Sequence, residues 1–343
     1  MRILVGMSGG VDSTYAAYKL MSEGHTVAGA VLKMHDYTEI PAAEAACASI
    51  GIPLYIIDCR EAFERLVVSN FISEYSRART PNPCVVCNSE VKFESLLDFA
   101  IKNDFDAIAT GHYASLEAVD TRDGLKYFVR TARDAAKDQT YMLWRLSQRV
   151  LSHLILPLSD MTKEEVRVAA RGRGLVAWDR GDSQEICFIP DNNHAAFIES
   201  RIGSFPEGNF VDADGNVLGR HKGIIHYTVG QRKGHGVALG ARAFITDIDA
   251  ESNCITLSTE AKSVDFFTVS GVVFSGIYPT EFPAEYRLEV KQRYRARPIS
   301  ANVTFLGDGR AEVRLDDSAA SVAPGQSAVF YMDGALAAGG FID

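Results

Sequence analysis

Three places in this 343-residue chain set chemically capable residues at informative spacings. The first is GMSGGVDS, comprising Gly6, Met7, Ser8, Gly9, Gly10, Val11, Asp12 and Ser13, between an apolar run and a helical pattern. Ser8, Gly9 and Gly10 let backbone amides turn inward, and a helix starting near Val11 would aim its amino-terminal dipole at an anion. Asp12 is a poor direct partner for phosphate but suits a Mg2+ ion bridging phosphates, while Ser13 can donate its hydroxyl. The spacing lacks the GxxxxGK[ST] of kinases and GTPases and the GxGxxG of dinucleotide folds. The second place is Cys84 and Cys87, a CxxC flanked by prolines and asparagines. The third is Cys187, which follows the polar run GDSQE. With no export signal in view, six cysteines read as thiols rather than disulfides, and Cys47, Cys59 and Cys254, in apolar surroundings, read as core filling.

These residues need a scaffold. Strand patterns at 2–6, 26–32, 53–58 and 106–112 alternate with helical patterns at 11–23, 41–51, 60–77 and 88–103. That alternation predicts an α/β fold with a doubly wound parallel sheet, whose ligands sit at the carboxyl ends of the strands. Near Ile189 the texture changes to a compact, glycine-rich central region. After Lys262 short strands separated by Gly and Asp-Gly turns predict a C-terminal all-β barrel. The expected domains are 1–190, 191–262 and 263–343.

Acidic residues number 44 against 35 basic, a net charge of −9, which taken bluntly argues against a polyanionic partner. Distribution says otherwise. No Asp or Glu occurs from Gly215 to Thr246, where Arg220, Lys222, Arg232, Lys233 and Arg242 lie, and a second cluster joins Arg287, Lys291, Arg293, Arg295 and Arg297. Such local basic faces suit nucleic acid, the plain alternative being a solvated face. At 47% hydrophobic and 23% charged residues the chain is not disordered throughout. No apolar run is long enough for a membrane span, and no signal peptide is visible, so a cytoplasmic protein is expected.

SGGVDS resembles the pyrophosphate loop of the N-type ATP pyrophosphatases, which adenylate a substrate oxygen. Further along, RTPNPCVVCN (79–88), ATGHY (109–113), KDQTY (137–141), GDSQEICFI (181–189), HYTVGQRKG (226–234), KQRYR (291–295) and PGQSAVFY (324–331) follow in order. Together they resemble the bacterial tRNA-specific 2-thiouridylase family across the whole chain. The resemblance implies ATP-dependent replacement of the 2-oxygen of the wobble uridine by sulfur in tRNAs for Lys, Glu and Gln. It places the persulfide-bearing cysteine at Cys187 and its partner at Cys87. Leu32 matches a backbone contact to adenine, and Gly111 matches the glycine that lets the nucleotide approach. Asn82, Pro83 and Cys84 fall around the target base, which must be flipped out. His112, Lys137, Asp138, Gln139, Arg293, Tyr294 and Gln326 match tRNA-contacting positions. A cysteine desulfurase or sulfur-relay protein would supply sulfur to a monomer bound to one tRNA.

Two departures from the family pattern matter. Many members carry Asp where this chain has Cys84, so a proton-transfer role does not carry over. Cys84, Cys87 and Cys187 could instead ligate a 4Fe-4S cluster with one open position, an arrangement expected here beside the two-thiol relay. The segment KMHDYTEIPAAE (33–44) is also shorter than in familiar members. An amide-forming ligase and a non-catalytic RNA-binding module are the competing readings; neither uses Cys87 and Cys187.

Overall fold

The computed structural model describes residues 1–121, 124–175, 186–237, 240, 242–320 and 322–343. The GDSQE run at 181–185 lies outside the described residues. Contacts group the chain into two units. The first comprises Met1–Val67, Cys84–Phe188 and Asp333–Leu336; the second comprises Val68–Pro83, Ile189–Met332 and Ala337–Asp343.

The first unit is built on β1 (Arg2–Gly6), β2 (Thr26–Lys33), β3 (Leu54–Asp58), β4 (Ala107–Ala109) and β7 (Leu154–Ile155), in the order β3-β2-β1-β4-β7. Every pairing in this sheet is parallel. β1 is central because Ile3, Leu4 and Val5 are all fully buried, as a strand covered on both faces must be. Helix α1 (Val11–Ser22) packs Ala17 and Leu20 into a core with Ile3, Val5, Val27 and Val31. Helix α2 (Ile40–Ile50), with proline in its first turn, ends at Gly51 in the left-handed conformation. The helical pattern at 60–77 is realised as Arg60–Phe63, a π-helical Glu64–Val68, and Ser69–Ser76. A hairpin of β5 (Ser115–Thr121) and β6 (Gly124–Arg130), which the βα reading missed, also belongs here. Its Asp123-Gly124 pair between alternating residues was the available signal.

The second unit holds a four-stranded sheet of β8 (Gly208–Val211), β9 (Val217–His221), β10 (Phe244–Asp249) and β11 (Cys254–Ser258), in the order β10-β11-β8-β9. It also holds a closed antiparallel barrel of β12 (Ser263–Phe274), β13 (Ala284–Lys291), β14 (Ile299–Phe305), β15 (Ala311–Ala320), β16 (Ser327–Met332) and β17 (Ala335–Ile342). The order β12-β15-β14-β13-β16-β17 closes by pairing of β12 with β17. Val290, Val303, Val313, Phe305 and Phe330 fill its interior. The expected α/β-plus-barrel architecture is therefore present. Among the described residues no helix is long and apolar enough to cross a membrane.

In KQRYR only Lys291 belongs to β13, and Arg293 and Tyr294 lie in the turn that follows. β17 gives a weak strand signal because ALAAGGFI lacks β-branched residues until its end. Its small side chains are required, since a Cβ on Gly340 would lie 2.4 Å from Val269 Cγ1.

Candidate functional site

The glycine loop occupies the carboxyl end of the parallel sheet, as the topology demands. Met7 N–H still bonds to Ala30 O at 2.8 Å; the chain then leaves β1 and enters α1 with Gly10 as its extended N-cap. Ser13 Oγ braces the loop: it accepts from Ser8 N–H at 3.2 Å and donates to Gly10 O at 3.1 Å. Ser8 Oγ accepts from Gly10 N–H at 3.3 Å. Gly9 has φ +75°, and a Cβ there would lie 2.6 Å from Ala42 Cβ on α2. Gly111, just past β4, rests on the start of α1, where a Cβ would meet Asp12 C and Ser13 N at 2.7 Å each. β2 continues past the end of β1 to Lys33, so Leu32, paired with Ile57, lies at the same end of the sheet. A cradle whose walls approach to glycine distance fits a phosphate chain.

Asp12 was expected to look outward to a metal. Its Oδ1 accepts from Tyr113 O–H at 2.7 Å and its Oδ2 from Lys163 Nζ at 2.6 Å. Neither partner was anticipated. Tyr113 was visible within ATGHY. Lys163 follows Thr162, whose capping box with Glu165 fixes the start of helix Lys163–Gly172. The Thr-x-x-Glu signature was legible, but a bond spanning 151 residues was not. One carboxylate beside a phosphate cradle is enough for Mg2+, which takes most of its ligands from phosphate and water.

Several residues expected to touch tRNA serve the chain itself. Asp138 is buried, with Oδ2 accepting from Ala132 N–H at 2.8 Å and Oδ1 from Thr140. Gln139 exchanges bonds with Tyr113: its Oε1 accepts from Tyr113 N–H, and its own N–H donates to Tyr113 O, both at 2.9 Å. Gln139 thus holds Tyr113, which reaches Asp12, while Lys137 beside it is half-buried. Gln326 donates from Nε2 to Thr80 O at 3.0 Å and Pro81 O at 3.2 Å, pinning the loop that leads to Asn82 and Pro83, both buried. Arg293 donates to Val229 O at 3.5 Å, and Tyr294 beside it is half-buried. Arg287 is paired with Asp316.

The CxxC lies on a short helix, Pro83–Cys87, that runs directly into π-helical Asn88–Lys92 and then helix Phe93–Lys102. Cys84 and Cys187 are exposed, whereas Cys87 is buried with its Sγ 3.5 Å from Met34 Sδ. Phe188 packs on Phe63 at 5.4 Å, and Phe63 on His35 at 5.7 Å, which seats the residue next to Cys187 in the first unit's aromatic packing. Burial, reinforced by negative charge at Cys187, Cys84 and Cys59, pushes the Cys87 thiol up to about 12. Desolvation first, and then Cys84, pushes Cys187 up to about 11, even though the residue presents surface to solvent. Both thiols are therefore protonated at neutral pH in the resting protein. Among the described residues no three of His, Cys, Asp and Glu come together in a way that could hold a metal ion. The ligand set expected for a 4Fe-4S cluster is thus not assembled. Cys87 Sγ lies against Met34 Sδ, and the Cys84 thiol is raised by burial although the residue as a whole presents surface to solvent.

His112 bonds through Nδ1 to Thr110 Oγ1 at 2.9 Å and packs on Phe93 at 5.5 Å. Desolvation, with Lys92 adding, drives its pKa down to about 3. It is neutral when folded but takes a proton below pH 6.5 when unfolded, so its contribution is complete above 6.5 and declines as pH falls towards 3. Between pH 7.5 and 5, the urea midpoint of the wild type should fall further than that of His112→Asn. Parallel declines would contradict a desolvated imidazole.

Comparisons with known proteins agree on one group. The family model described as tRNA methyl transferase HUP domain matches residues 1–191. Those described as tRNA methyl transferase PRC-barrel domain and aminomethyltransferase beta-barrel domain match 195–259 and 265–342. The tRNA-specific 2-thiouridylase MnmA of Clostridium perfringens (strain 13 / Type A) is 41% identical over 361 residues, covering 100% of this chain and 98% of that protein. The protein of the same name from Acetivibrio thermocellus is 41% identical over 358 residues, covering 99% and 98%.

Proposed function

The chain belongs to the tRNA-specific 2-thiouridylase family, and we propose that it installs sulfur at the 2-position of the wobble uridine in tRNAs for Lys, Glu and Gln. One observation carries this reading. A phosphate cradle at the sheet's carboxyl end shares a structural unit with Cys87 and Cys187. An amide-forming ligase or an RNA-binding module has no use for such a pair.

The uracil oxygen is a poor leaving group until ATP adenylates it. The cradle of Ser8 to Ser13 takes the phosphates on its amides and the helix dipole. Asp12 would hold Mg2+, which neutralises charge on the departing pyrophosphate, and Lys163 and Tyr113 orient that carboxylate. Leu32 and Gly111 border the nucleotide. Sulfur then arrives as a persulfide on Cys187, loaded by a cysteine desulfurase or a relay protein. Its terminal sulfur attacks C2. Cys87 attacks Cys187 Sγ, the S–S bond breaks, and AMP leaves with the C2–O bonding pair. The product is 2-thiouridine with a Cys87–Cys187 disulfide, which a thiol reductant reopens. Asn82, Pro83 and Cys84 would flank the flipped base, and Arg293 and Tyr294 would contact tRNA. The family matches support a three-domain division at 1–190, 191–262 and 263–343.

The test is AMP and pyrophosphate release with and without tRNA, followed by nucleoside mass analysis. AMP formation should require tRNA, and one oxygen should be replaced by one sulfur at the wobble position. Tight RNA binding without ATP turnover would leave only a binding module. RNA-independent AMP formation driven by ammonia would indicate a ligase.

A further inference from the structure

A partly buried lysine, Lys92, acts on the thiols of Cys87 and Cys187, and among the described residues no carboxylate pairs with it. Lys92 Nζ donates to Asn88 Oδ1 at 2.8 Å, and among the described residues no Asp or Glu forms an ion pair with it. The nearest acids in sequence, Glu90 and Glu94, are paired with Arg145 and Arg149. Partly buried ammonium groups normally pair with an anion, and among the described residues a neutral amide is the partner that Lys92 holds.

The backbone places that charge deliberately. Phe93 N–H bonds to Asn88 O, five residues back, where an α-helix would bond four back. The extra residue turns the following face by about 100°, sending Phe93 into the core beside His112. Asn88 is itself fixed: it is buried, and its Nδ2 donates to Met142 O at 2.9 Å. The ammonium is thus held one π-turn after Cys87. Its charge opposes the burial that raises the thiols of Cys84, Cys87 and Cys187.

We propose that Lys92 holds the negative charge of sulfur transfer, stabilising the anionic sulfur carried by Cys187 and the thiolate of Cys87 as it attacks, with Asn88 as its positioning residue. This rests on the relay reading above. No co-reactant is added, since Lys92 forms no bond to sulfur.

The test compares two disulfide probes on the full-length protein carrying Cys84→Ser, with labelling at Cys187 followed by peptide mass. One probe, 5,5′-dithiobis(2-nitrobenzoate), is a dianion; the other, 2,2′-dithiodipyridine, is neutral. Lys92→Met and Lys92→Gln should slow the dianion by about tenfold more than the neutral probe, because a nearby charge has been removed. Lys92→Arg should restore the ratio, and Asn88→Ala should lower it part-way. Thiolation kcat should fall in step with the ratio while the KM for ATP stays put. A packing defect would slow both probes alike, and an unchanged ratio in folded Lys92→Met and Lys92→Gln would overturn the proposal. If the ratio collapses but Cys187→Ser still thiolates tRNA, the relay reading fails and the charge assignment stands.

Discussion

Replacing Cys187 or Cys87 by serine should reduce thiolation by at least about a thousandfold, because each removes a sulfur that forms and breaks a bond. AMP formation should survive in both variants, since neither residue belongs to the Gly6–Ser13 cradle. Cys84→Ser separates the two accounts of this site. If three thiolates ligated iron, losing any one would destroy the cluster, and all three variants would fail together. Cys87 Sγ lies 3.5 Å from Met34 Sδ, and among the described residues the three thiols do not come together as a metal site. Cys84→Ser, purified anaerobically, should therefore keep thiolation within about threefold of the wild type, a hydroxyl being tolerable beside a base. Wild-type protein should be active without iron. Stoichiometric iron and sulfide, lost with activity in all three variants, would reinstate the cluster.

How far the sequence reaches is clearest at Asp12. Its loop was legible because strand, glycines and helix start are local signals, each with its own chemistry. Its partners were not, because Tyr113 and Lys163 meet it only through the packing of α1 against distant elements. The same limit applies to Asp138 and Gln139. Their partners within the chain, Ala132 N–H for Asp138 and Tyr113 for Gln139, come from packing that the motif does not reveal. Lys92 was passed over because a lysine within a helical pattern reads as a solvated face. Only the π-turn and the absence of a paired acid among the described residues distinguish it. In the barrel, β17 gives little strand signal because close approach there selects small residues over β-branched ones.

Gly111→Ala should lower tRNA-dependent AMP formation by at least about a hundredfold, the cost of moving a reacting group by roughly an ångström. Three glycines make the argument by contrast. Gly51 sits at φ +73° with nothing within 4 Å of a would-be Cβ, so alanine there meets only backbone strain, about 1 kcal/mol of stability. Gly111 lacks a left-handed φ, but its Cβ would press on Asp12 C and Ser13 N at 2.7 Å. Those atoms are backbone and cannot rotate aside. Gly9 combines both faults, φ +75° and 2.6 Å to Ala42 Cβ. Gly51→Ala should therefore melt slightly earlier and turn over ATP normally. Gly111→Ala should keep its fold and its tRNA affinity but lose adenylation, because the first turn of α1 carries Asp12 and Ser13 out of register with the phosphates. Gly9→Ala should lose both stability and adenylation. Normal AMP formation by Gly111→Ala would show that the junction of β4 with α1 can yield, and that the cradle is not built to glycine tolerance.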